Sequence, residues 1–148
     1  MTYPNDPLAD GGIAVFAENL RAGRTTICKV TSAYLDRIES LDAKLGAFQY
    51  VAKEQAMAAA EAMDKLLASG TDLGPLMGVP IGIKDIYAVD HMPTTNGSLF
   101  DASGITGSEG RFVTGLKQAG CIILGKTKTV EFALGATGVN EARGTPWN

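Results

Sequence analysis

Two short apolar runs, GVPIGIKD at residues 78–85 and CIILG at 121–125, each follow a stretch of helical period, and that succession leaves few folds open. In KEQAMAAAEAMDKLLASG (53–70), Ala56, Ala59, Ala60, Met63, Leu66 and Leu67 trace one face of an alanine-rich helix that Gly70 ends. In EGRFVTGLKQAG (109–120), Phe112, Leu116 and Ala119 share a face, and Ser108 is placed to cap the helix. The run Cys121 to Leu124 has no polar alternation, which marks a strand covered on both faces. Upstream, AVFAENLRAG (14–23) reads as a short helix closed by Gly23. TTICKVTSAYLDRIESLDAKL (25–45) reads as a longer one, with Val30, Tyr34, Ile38, Leu41 and Leu45 at helical spacing. GAFQYV (46–51) is a short strand, and VDHMPTTNGS (89–98) a turn-rich loop. The alternation predicts an α/β fold, and no repeat, low-complexity tract or linker divides residues 1–148.

With 45% hydrophobic and 20% charged residues, the 148-residue chain can build one core, as a domain or as part of a larger one. Thirteen basic against 16 acidic side chains give a net charge of −3, which offers no attraction to nucleic acid or to an anionic membrane. No apolar run approaches the roughly 18 residues of a membrane span. MTYPNDPLADGG (1–12) lacks a basic-then-apolar signal pattern, so the cytoplasm is the expected compartment. Cys28 and Cys121 are isolated thiols without CxxC spacing and are expected to be structural. His91 is the only histidine, so neither a Ser-His-Asp triad nor a multi-histidine metal site can be assembled, and a solvated loop position is expected for it.

GCIILGKT (120–127) satisfies the phosphate-loop spacing G-x-x-x-x-G-K-[ST], but a phosphate cradle needs strand, polar loop and helix in that order. Here Gly120 stands where a helix ends, and the would-be loop is Cys-Ile-Ile-Leu, whose N–H groups belong in a sheet ladder. Gly125, Lys126 and Thr127 are then expected to form the turn after the strand. Lys84 arrives differently, at the carboxyl end of an apolar strand. A lysine held in low dielectric loses part of its preference for charge and can serve as a base, as Ser–Lys pairs do. Spacing alone equally allows an exposed Lys84 beside Asp85 in a solvated turn. Asp85 and Asp90 could tune the amine electrostatically, although carboxylates at strand ends are commonly turn formers.

GPLMGVPIGIKDIYAVDHMPTTNGS (74–98), followed by GLKQAGCIILGKTKTVEFALGATGVNEARGTPWN (115–148), closely resembles the amidase signature family of serine hydrolases. The likeness runs from about Thr25 and includes SAYLDRIESLDAKLGAFQYV (32–51). It implies the N-terminal part of the amidase signature fold, with a mixed sheet flanked by helices. It also implies Lys84 as the catalytic lysine of a Ser-Ser-Lys mechanism, and a structural role for Ser98 in TTNGS. Glu131 and Phe132 in VEFALG are expected to start a short helix. Lys128 stands where the family often has asparagine, and Lys29 where an acidic residue is common.

The family's nucleophilic and bridging serines lie in a glycine- and serine-rich stretch that normally follows a segment like GTPWN. Residues 1–148 contain no such stretch, so they are expected to be the N-terminal portion of a single amidase domain, inactive alone and prone to self-association or homo-oligomerisation. The parent protein is expected to hydrolyse the C–N bond of a small-molecule carboxamide without metal or cofactor. Charged tRNA is a partner only if the chain belongs to a transamidating enzyme. Two alternatives remain: a phosphate-loop nucleotide binder, and a non-catalytic interaction module that kept part of an amidase fold.

Overall fold

The computed structural model describes residues 5–147; residues 1–4 of the MTYPNDPLADGG stretch, and Asn148, lie outside the described residues. The elements run α1 (Gly12–Arg21), α2 (Ile27–Leu45), β1 (Phe48–Val51), α3 (Lys53–Ala68), β2 (Pro80–Lys84), α4 (Ser103–Thr106), α5 (Arg111–Gln118), β3 (Ile122–Thr127) and a 3-10 turn at Glu131–Ala133. Thr26 caps α2 by accepting the Lys29 N–H at 3.1 Å. A second cap comes from another helix: the Asp64 carboxylate on α3 accepts the N–H groups of Ile27 at 2.8 Å and Cys28 at 3.0 Å. A carboxylate at a helix start satisfies orphan donors and favours the dipole. Thus the acid missing at Lys29 is supplied across the interface between α2 and α3.

The sheet order is β1-β3-β2, with β3 antiparallel to β1 and parallel to β2, so the sheet is mixed. On one face Ile122 and Leu124 meet Val30, Leu35, Ala56 and Ala60 of α2 and α3. On the other, Ile123 joins Ile83, Val89 and Val113 of α5. Coverage on both faces explains the unbroken apolar run of β3.

The observed faces differ in detail from the expected ones. In α2 the buried residues are Ile27, Val30, Thr31 and Leu35, while Leu45 is exposed where Gly46 turns the chain toward β1. In α3 only Ala56 and Ala60 are fully buried, because small side chains let the helix lie close to its neighbours, and Leu66 is exposed. In α5 Val113 is buried, whereas Phe112 is exposed and its ring lies 5.2 Å from that of Tyr87. Ser108 does not cap α5: the helix begins at Arg111 after Gly110, with no side-chain cap bond.

The largest correction concerns Gly125, Lys126 and Thr127, which are strand and not turn. Lys126 pairs with Tyr50 of β1 on one side and with Ile83 of β2 on the other. Gly125 makes this continuation possible, since a Cβ there would overlap the carbonyl oxygen of Tyr50. Gly125→Ala should therefore lower stability by about 2–3 kcal/mol through forced backbone shifts. Chemical denaturation would read this as a lower midpoint, and an unchanged midpoint would mean that β1 does not approach β3 so closely.

Candidate active site

Because β2 and β3 run parallel with Lys84 opposite Thr127, the loops that follow them gather at one end of the sheet. In α/β sheets the carboxyl ends of strands are where sites form. Lys84 stands there, exposed, and its side chain has no hydrogen-bond or ion-pair partner among the described residues. It is thus free to meet a group brought to that face.

Asp85, the residue that follows β2, is fully buried where its neighbour Lys84 is exposed, as the opposite faces of successive extended residues allow. It does not face Lys84 in a solvated turn. Its carboxylate accepts the Lys126 ammonium at 2.9 Å, the Thr95 hydroxyl at 2.5 Å and the Thr95 N–H at 3.2 Å. Lys126, also fully buried, donates further to the Pro93 carbonyl at 3.1 Å and the Thr94 hydroxyl at 2.6 Å. Burial pulls the Lys126 amine below its ordinary value, and Asp85 pulls it part of the way back. The Asp90 carboxylate accepts the Glu109 N–H at 3.4 Å, and Glu109 also holds Lys117 at 2.5 Å.

Ser98 is buried, and its hydroxyl donates to Glu131 at 2.6 Å while accepting the Phe100 N–H at 3.0 Å. This agrees with its expected structural role. Glu131 does open a short 3-10 turn, in which Phe132 is left-handed with φ 48°. Asn140, for which the sequence carries no signal, joins the two loops. Its amide donates to the carbonyls of Gly97 at 2.7 Å and Thr129 at 2.9 Å, and its oxygen accepts the Arg143 N–H at 2.8 Å. Gly97 must lack a side chain, because a Cβ would come within 2.7 Å of the Thr129 carbonyl oxygen.

His91 is an exposed loop residue with φ 67°, beside a groove of 320 Å³ lined also by Met63, Lys117 and Cys121. Cys28 and Cys121 are free thiols; burial, reinforced by Asp64, pushes Cys28 up to about 11. Among the described residues no group of three His, Cys, Asp or Glu could hold a metal.

Similarity to known proteins decides the family. The sequence model of the Amidase family matches residues 29–148. The chain belongs to this family. A glutamyl-tRNA(Gln) amidotransferase subunit of Streptomyces coelicolor is 41% identical over 138 residues, covering 91% of this chain. Its counterpart in Acidothermus cellulolyticus is 43% identical over 123 residues, covering 81%. The peptide amidase of Stenotrophomonas maltophilia superposes with a TM-score of 0.85 at 29% identity, over 96% of this chain and 30% of that one. The chain spans 28% and 24% of the length of the two amidotransferase relatives. The mixed α/β architecture expected from the resemblance is the architecture found.

The family assignment and the strand geometry agree in removing the phosphate loop. Lys126 is occupied by Asp85, Pro93 and Thr94 inside the protein, and the N–H groups of Ile122 to Leu124 lie in β3. Calorimetric titration with Mg-ATP should be flat. A saturable signal would restore the nucleotide-binding alternative.

Proposed function

We propose that the protein carrying these residues cleaves a carboxamide C–N bond, with Lys84 as the proton-relay residue of a Ser-Ser-Lys mechanism. The observation that carries this reading is the exposed, unpartnered Lys84 at the carboxyl end of β2, within a chain that belongs to the amidase family. Lys84, through a bridging serine hydroxyl, takes the proton of the nucleophilic serine. The serine attacks the carboxamide carbon, the amine leaves with a proton, and water releases the acid from the acyl-enzyme. Both serines would come from polypeptide outside residues 1–148.

The identity to glutamyl-tRNA(Gln) amidotransferase subunits favours an amide-group transfer that involves a charged tRNA. The peptide amidase neighbour favours a peptide amide. A cytoplasmic location fits either substrate. We also propose that residues 1–148 alone self-associate, because Leu99, Phe100, Leu134 and Trp147 are strongly exposed apolar side chains, and that they are inactive without the two serines.

The test is ammonia release by the polypeptide of the complete reading frame, offered glutamine, peptide amides and simple alkyl amides. Release from at least one class, with a hydroxylamine-trapped acyl group, is the expected result. No release, from a reading frame that contains the serine-rich stretch, would leave the interaction-module alternative in its place.

A further inference from the structure

Lys84 has no side-chain partner of its own among the described residues, so its direction depends on how its backbone is held. Besides the pairing of Lys84 with Thr127 in the β2–β3 ladder, four main-chain bonds do this: Asp85 N to Thr127 O at 2.9 Å, Ile86 N and Tyr87 N to Lys84 O at 2.8 and 3.0 Å, and Asn96 N to Asp85 O at 3.0 Å. A further anchor is the Asp85 side chain, held in the interior by Lys126 and Thr95. Neighbouring strand residues point to opposite faces, so any movement of Asp85 toward water tilts Lys84 with it.

We infer that the buried Lys126–Asp85 pair is a positioning device for Lys84, setting its direction from the far side of the strand. Lys126 is fully buried and cannot touch substrate, so it acts only through Asp85 and the 93–96 loop. The ammonium spends its three N–H bonds on Asp85, Pro93 and Thr94. That closes a loop from β3 through residues 93–95 back to the end of β2. The inference rests on the amidase reading above.

The experiment uses the complete protein and the double variant Lys126→Met with Asp85→Leu, which removes both charges together and so leaves neither buried alone. A fold kept by circular dichroism, a kcat lowered about a hundredfold with KM little changed, and a displaced pH profile of kcat/KM are the expected results. Wild-type kcat and profile in the folded double variant would overturn the inference. Should the double variant not fold, Thr95→Val decides, since it removes the hydroxyl that donates to Asp85 and accepts the Gly97 N–H, and leaves the ion pair. A kcat at least about threefold lower with unchanged KM supports positioning, and wild-type kcat overturns it. Lys84→Ala in the same protein separates the two readings. If that variant stays active, the amidase assignment of Lys84 fails; if it is inactive while the network variants are normal, only the positioning role fails.

Discussion

Lys84→Ala in the polypeptide of the complete reading frame will lower kcat for amide hydrolysis by on the order of a hundredfold or more, the usual consequence of losing a general base. In residues 1–148 alone the same substitution will leave the melting temperature unchanged. The residue is exposed and its side chain bonds to nothing among the described residues, so its truncation removes no packing and breaks no network. Exposed substitutions of this kind stay within about 0.5 kcal/mol of the parent. A structural lysine would behave in the opposite way, losing stability and keeping whatever turnover the folded fraction supports. KM should change little, since the amine is assigned to proton movement and not to holding the amide. Turnover within about tenfold of the parent, at unchanged stability, would remove Lys84 from the mechanism.

The two lysines show what the sequence discloses and what it conceals. Lys84 is legible because an apolar strand ends on it, and a cation at that place has a small set of explanations. Lys126 reads as a turn residue because a glycine precedes it, and glycine after an apolar run commonly ends a strand. What keeps the strand going is tertiary: the carbonyl of Tyr50 lies where a Cβ of residue 125 would be. A signal does exist, since a lysine continuing a run as apolar as CIILG needs a buried counter-charge. The counter-charge is Asp85, whose sequence neighbour Lys84 is the more obvious partner, yet the bond goes to a residue 41 positions away. The same limit explains Asp64 and Asn140. One caps a helix it does not belong to and the other sits in a loop, so neither contact leaves a periodic trace.

Lys126→Met will cost about 3–5 kcal/mol in urea unfolding, the usual penalty when one member of a buried ion pair is left without its partner. The methionine fills much of the lysine's volume, so the loss arises chiefly from Asp85. Both partners are fully buried, and the carboxylate would keep only the Thr95 hydroxyl and N–H to balance its charge. Asp85→Leu alone should be as damaging, because it strands the ammonium with only Pro93 O and the Thr94 hydroxyl. The double variant should be more stable than either single one, since replacing a buried pair by apolar side chains is often close to neutral. It will not recover fully: the Thr95 N–H and Pro93 carbonyl lose their partners, and an unsatisfied buried polar group costs about 1–3 kcal/mol. The decisive quantity is the coupling between the two substitutions. Losses that simply add, with no recovery in the double variant, would mean that Lys126 and Asp85 are each solvated in solution and that no ion pair underlies the end of β2.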